Sequence, residues 1–206
     1  MHLNWNILGV LCWIVVICLV AGIIFHTRQR HLKMIVVQKK HHSQMNWFLD
    51  IIEFLIALIA VGGMLYVTVL DRANAKDSQR ITLNYEVQPL VMQTKSSQGY
   101  YVQAKGAADK NIIQYYTYWT HGAKYSVPSN NASVVDGDQS ISLNAKNYPW
   151  PHTRKYDQKY QKAYVITMVA HYKNNWRNGL GMHVGSVATD YTLIRIPSNT
   201  FLQMLP

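Results

Sequence analysis

The stretch "FHTRQRHLKMIVVQKKHHSQMNW", Phe25 to Trp47, carries five Lys/Arg residues (Arg28, Arg30, Lys33, Lys39 and Lys40), four histidines and no acid. An uncharged apolar run lies on each side of it. The first is "ILGVLCWIVVICLVAGIIF" (Ile7–Phe25) and the second is "FLIALIAVGGMLYVTVL" (Phe54–Leu70). A bilayer core of ~30 Å is crossed by roughly 20 helical residues. Both runs reach that length with their flanking residues. A chain of 206 residues rarely hides two helices that are apolar on every side, so the pattern predicts two transmembrane helices. The mean hydropathy of the whole chain is close to zero and conceals them.

The first run does not read as a cleaved signal peptide. Such a peptide places its positive charge before the apolar stretch, whereas "MHLNWN" has no Lys or Arg. Lys and Arg of short loops stay on the cytoplasmic side. The count is zero before the first run, five between the runs and one, Arg72 beside Asp71, after the second. The predicted topology therefore has the N-terminus outside, the loop inside and everything after the second helix outside. The expected parts are helix 1 with a short outer N-terminus (1–25), a basic cytoplasmic loop (26–46), helix 2 (47–71) and an extracytoplasmic domain (72–206). Arg28, Arg30, Lys33, Lys39 and Lys40 are the expected contacts to anionic lipid, where each surface cation contributes ~1 kcal/mol. Trp5 and Trp47 fall where interfacial aromatics are expected.

The loop histidines, His26, His31, His41 and His42, match no metal-ligand spacing and read as interfacial residues. Asp50 and Glu53 are three apart, so they share a helix face at a depth where charge is costly. They read as an interfacial pair neutralised by Lys39, Lys40 or a histidine, or else as the contact for a partner membrane helix or a proton site. Gly62-Gly63 offers a place for close helix packing. Both cysteines, Cys12 and Cys18, lie in the first run, so the outer segment has no disulfide. A cysteine-free exported domain suits a Gram-positive bacterium.

The segment 72–206 holds 15 Lys/Arg against 7 Asp/Glu, a formal charge of +8, and 13 of the 14 tyrosines. "RITLNYEVQ" alternates as a half-buried strand. "AYVITMVAHY" is apolar on both faces, as a central strand is. "VATDYTLIRIP" is a third strand, ended by Pro197, and "GYYVQAK" and "SISL" are shorter ones. "NIIQYYTYW" has helical spacing but β-type composition and is assigned as a strand, with Gly122 as the cap if it were helical. "RKYDQKYQKAY" sets Tyr156, Tyr160 and Tyr164 four apart, as a helical ridge or as one face of a strand. Asp136-Gly137, Asn178-Gly179 and "NYPWPH" read as turns. The fold class is thus a membrane-anchored α+β chain, with a transmembrane helical hairpin before a mainly β, sandwich-like domain carrying at most a short helix or two. That domain is expected to fold alone from about Lys76.

No Walker loop, nucleophile elbow or metalloprotease helix is present, and "GLGMHVG" lacks the dinucleotide spacing. Acids are too sparse for a paired-carboxylate hydrolase, and His121, His152, His171 and His183 are scattered. The chain is therefore not expected to be an enzyme, and no cofactor or metal is expected. A basic, aromatic-rich surface outside a cell suits an anionic envelope polymer. Tyr148, Trp150, Arg154, Lys155, Lys159 and Lys162 are its candidate contacts. The alternative is an accessory subunit of a membrane complex acting through the hairpin. A nucleic-acid partner is excluded by the predicted topology.

"YKNNWRNGLGMHVG" followed by "TDYTLIRIP", behind a basic-looped helical hairpin, resembles a family of small two-helix membrane proteins of lactic acid bacteria. The resemblance spans the chain. It implies a Gram-positive membrane setting and supplies no catalytic or binding residue.

The topology has a direct test. With Cys12 and Cys18 replaced by serine, a single cysteine at Ser97 should react with a membrane-impermeant thiol reagent on whole cells. One at Gln44 should not, and the opposite pattern would invert the orientation.

Overall fold

A computed structural model describes residues 4–36, 44–95, 98–106, 113–137, 139 and 141–205. The chain forms two compact units. One takes everything up to Ala73 together with Tyr172–Ser186. The other takes Asn74–His171 and Val187–Pro206. This partition differs from the single outer segment expected at 72–206.

The first unit is built on two helices long and apolar enough to cross a membrane. Helix α1 spans Asn6–Val36 and α2 spans Gln44–Leu65, continued by a π-helical turn at Tyr66–Leu70. At ~1.5 Å per residue α1 is about 46 Å long, well beyond the first apolar run. Arg28, Arg30 and Lys33 are therefore helical and not loop residues. The reason is local: "HTRQRHLKMIV" contains good helix formers and no Pro, Gly or Asn to stop it. The side chains of both helices are largely exposed; only Gly9 and Met34 of α1 and Met64 of α2 are buried. The expected Gly62-Gly63 contact does not form. A Cβ at either position would meet nothing within 4 Å.

The second unit contains β1 (Ile81–Pro89), β2 (Gln93–Lys95), β3 (Gln98–Tyr100), β4 (Val102–Lys105), β5 (Tyr115–Thr120), β6 (Ala123–Pro128) and β7 (Ala132–Asp136). Helices α3 (Leu143–Lys146) and α4 (Thr153–Lys159) follow. Then come β8 (Tyr164–Tyr172), β9 (Val187–Ile196) and β10 (Leu202–Leu205), while α5 (Trp176–Leu180), between β8 and β9 in sequence, falls in the first unit. One sheet has the order β1-β8-β9-β7 and the other β10-β4-β5-β6, with β2-β3 as a separate ribbon. The long apolar strand is central, as its two-sided burial requires. Its Val165, with Ile194 and Ile196 of β9, packs on Val102 and Tyr118 of the other sheet. Its Tyr164 and Ile166, with Leu193 of β9, pack on Trp150, Tyr156 and Tyr160. The result is two stacked sheets with a helical layer over the outer face of the first.

The described part of "SISL", Ile141 to Leu143, is not a strand; Ser140 lies outside the described residues. Ser142 caps α3 by accepting from the Ala145 amide, and the strand lies upstream in β7, which pairs parallel to β9. "YYTYW" is a strand, as composition indicated; Asn111 and Ile112 at the start of that stretch lie outside the described residues. Gly122 makes the β5–β6 hairpin turn at φ 100, a left-handed geometry that glycine adopts freely. The tyrosine ridge resolves as helix into strand, with Tyr156 of α4 and Tyr160 at its C-cap each 6.0 Å from the Tyr164 ring.

The segment between β8 and β9 belongs with the long helices. Asn6 donates through Nδ2 to the Val184 carbonyl at 3.2 Å and accepts from the Val184 amide at 3.0 Å. The Trp5 amide donates to Asn174 Oδ1 at 3.1 Å. Asn178-Gly179 is no hairpin turn. Asn175 caps α5 through the Asn178 amide at 2.9 Å, and buried Asn178 donates to the Lys173 carbonyl at 2.9 Å. A Cβ on Gly9 would lie 2.6 Å from the Gly179 carbonyl oxygen, and one on Gly179 would overlap the Trp5 backbone. The close approach of α5 to α1 therefore requires glycine on both partners.

In the second unit, α4 is held to β9 by ionic contacts. Arg195 Nε lies 3.3 Å from Asp157 Oδ1, and the Tyr164 hydroxyl donates to the same carboxylate at 2.9 Å. Burial, reinforced by Asp157, holds the Tyr164 phenol well above the usual tyrosine range. Burial also raises Tyr118 and Tyr191. A phenol whose pKa is raised on folding contributes stability that is complete below the unfolded value near 10 and is lost as pH climbs toward the folded value. The full chain should accordingly show a falling unfolding midpoint above about pH 10. Tyr164→Phe should flatten that fall while costing about 1–2 kcal/mol at neutral pH. Denaturant unfolding followed by near-UV circular dichroism across this range provides the check.

Candidate functional site: a charged cluster between the long helices

Four α1 side chains at 26, 27, 30 and 31 occupy one helix face, because positions three to four apart are neighbours on a helix. Asp50 and Glu53 do the same on α2. The two faces meet. Arg30 donates from Nη1 to Glu53 Oε1 at 3.1 Å and from Nη2 to Glu53 Oε2 at 3.0 Å, a bidentate fork. Arg30 Nη2 also reaches Asp50 Oδ1. Thr27 Oγ1 donates to Glu53 Oε2 at 2.7 Å. His26 Nδ1 lies 2.9 Å from Glu53 Oε1, and His31 Nε2 lies 2.8 Å from Asp50 Oδ2. The Arg30 side chain is 14% exposed, Glu53 16% and Asp50 27%. At the opposite end of the helix pair, Trp13 Nε1 donates to Thr68 Oγ1 at 3.3 Å.

One guanidinium facing two carboxylates compensates one of the two negative charges, and the His26 and His31 rings each turn a nitrogen to the pair. The cation beside Asp50 and Glu53 is thus Arg30, with His26 and His31 of α1 as further polar partners. Lys39, Lys40, His41 and His42 lie outside the described residues. Of the expected lipid contacts, Arg30 is committed to this cluster. Arg28 and Lys33 are exposed and have no ion-pair partner among the described residues. Among the described residues no three His, Cys, Asp or Glu side chains converge as metal ligands would.

The remaining candidates lie in the second unit, before, on and just after α4. Arg154, Lys155 and Lys159 are exposed, and the Lys159 ammonium sits 4.9 Å from the Tyr160 ring centroid. Lys162 is half-buried at φ 61 and has partners of its own. Tyr148 and Trp150 are half-buried and pack on the core. The Tyr148 ring lies 4.4 Å and the Trp150 ring 6.0 Å from the Tyr191 ring, and Trp150 Nε1 donates to the Ala145 carbonyl at 2.7 Å. The aromatics of "NYPWPH" are therefore turned onto the sheet instead of standing free for stacking.

A protein-family model described as ":-like" matches residues 4–203. No curated protein and no solved structure matches the chain.

Two outcomes follow from these placements. Arg30→Leu leaves two adjacent carboxylates uncompensated, which should cost on the order of 3 kcal/mol; adding Asp50→Leu and Glu53→Leu should restore most of the loss. Trp150→Ala should lower stability by about 3 kcal/mol as a core truncation. Thermal unfolding of the full chain in detergent measures both.

Proposed function

We propose, for a chain that belongs to the family whose model covers residues 4–203, a membrane-anchored role in a Gram-positive bacterium of the lactic acid group. On this reading α1 and α2 cross the cell membrane, the charged cluster lies at its cytoplasmic side, and the strand-rich unit stands outside. That unit holds an anionic polymer of the envelope, is not an enzyme and needs no cofactor. The observation that carries the binding proposal is the division of α4 into two faces. Tyr156 and Asp157 turn to the sheet, while Arg154, Lys155 and Lys159 point to solvent with no carboxylate partner among the described residues. A helix that presents three uncompensated cations attracts a chain of phosphates or carboxylates.

A second reading, an accessory subunit of a membrane complex, is favoured by a groove of about 650 Å³ between α1 and α2. Val20, Ile23, Ile24, Phe54 and Ala57 line its apolar part. Asp50 and Glu53 already have partners in α1, so a partner helix would meet the groove in preference to the carboxylates.

Attraction by surface cations is screened over ~8 Å at physiological ionic strength. The full chain in detergent should sediment with cell walls at low salt, less with walls stripped of teichoic acid, and little at high salt. Replacing Arg154, Lys155 and Lys159 together by Gln should abolish the salt-sensitive part without changing the unfolding temperature. Equal sedimentation by the triple variant would remove α4 from the binding surface. No sedimentation by the intact chain, together with co-purification of a second membrane protein, would favour the subunit reading.

A further inference from the structure

Between the two sheets of the second unit lies a cleft of about 190 Å³ whose lining differs in kind from the rest of the unit. Its floor is apolar, at Val127 of β6 and Val165 of β8. Above the floor the inward positions of β8 and β9 change to Thr167 and Thr192, which face each other across the strand pair. Tyr118 of β5, whose ring is buried, shares the lining with both threonines. Tyr125 of β6 stacks on Tyr118 with centroids 5.4 Å apart and planes 19° from parallel, and is itself 41% exposed. Glu86 of β1 and Asp190 of β9 complete the lining on the first sheet, with Gln88 beside Glu86.

Two features set this cleft apart. Polar groups inside a sandwich contribute less than apolar ones of the same shape, so a hydroxyl-lined half of the inter-sheet space is not what stability alone favours. The charge is also reversed. The segment has more than twice as many cations as acids, yet among the described residues no Lys or Arg lines the cleft. Among the described residues Glu86 and Asp190 bond to neutral side chains, Gln88 and Asn131. Neither has an ion-pair partner among the described residues.

Carboxylates left without a cation, beside the faces of two stacked phenols, make a receptor for an organic cation. The acids supply charge and hydrogen-bond acceptors, and the rings supply attraction through their negative faces. The volume is below that of sites for whole drug-sized ligands, so it suits the end of a chain. We propose that this cleft binds the primary ammonium terminus of a ligand, with Glu86 and Asp190 as acceptors and Tyr125 as the ring it rests on. The inference is independent of the membrane reading and of the α4 surface, whose preference is for the opposite charge.

The test uses the full chain in detergent, titrated by calorimetry with 1,5-diaminopentane and, separately, with 1,5-pentanediol. The diamine should bind saturably and the diol should not. Glu86→Gln with Asp190→Asn should weaken diamine binding at least about tenfold with the unfolding temperature unchanged, since both side chains are exposed. Tyr125→Ala should weaken it as well. Replacing Arg154, Lys155 and Lys159 should leave it intact, which separates this site from polymer binding. Equal binding of diol and diamine, unchanged affinity in the double amide variant, or calcium saturating the cleft at lower concentration than the diamine would each overturn the proposal.

Discussion

One guanidinium sets the relation of the two long helices. Apolar helix surfaces slide and rotate against each other at little cost, because Leu-like side chains pack almost equally well in many registers. The fork of Arg30 on Glu53, with its second reach to Asp50, has no such tolerance. It fixes which turn of α1 faces which turn of α2, and Thr27, His26 and His31 fill the remaining acceptor sites. In a low-dielectric setting such a cluster contributes little net stability over an apolar replacement, but a mismatched register would strand a charge and cost several kcal/mol. Its value to the fold is therefore alignment more than strength. The Trp13–Thr68 bond at the other end then acts on helices whose phase is already chosen.

Much of this was legible in the residues. The two apolar runs and the alternation of β1 are local signals, and the double-sided burial of β8 follows from a run with no polar face. Arg30 was missed for an identifiable reason. Treating the charged stretch as a loop discarded its helical phase, although 26, 27, 30 and 31 against 50 and 53 is a one-face pattern and no breaker interrupts "HTRQRHLKMIV". The fate of "NYPWPH" was not legible. Prolines and polar neighbours mark an exposed loop equally well, and only the placement of Tyr191, far away in sequence, shows where Tyr148 and Trp150 rest. Parallel pairing of β7 with β9 is likewise a long-range fact with no local mark. The same is true of the cleft. Thr167 and Thr192 stand in strands dominated by apolar residues, and nothing in either strand shows that they face each other.

The second unit carries two regions of opposite sign. Three uncompensated cations lie on α4, and two uncompensated carboxylates lie in the inter-sheet cleft. Formal charge alone describes this unit as basic, and that average would have hidden the cleft just as mean hydropathy hid the helices. Both cases show the same limit of composition: it reports sums, whereas recognition depends on which charges are left without partners and on what surrounds them.

The segment Tyr172–Ser186 has a consequence for modularity. The chain passes between the two units after Ala73, after His171 and after Ser186, so their boundary is not a point in the sequence. A single nick between α2 and β1 would leave α1 still gripped by a segment of the other fragment, through Asn6, Val184 and the paired glycines. Conversely, the strands cannot be transplanted alone. Any graft of them carries along fifteen residues shaped to lie against one particular helix. Helices and strands are thus inherited as one piece, and neither could be exchanged for an unrelated counterpart without first losing this insertion.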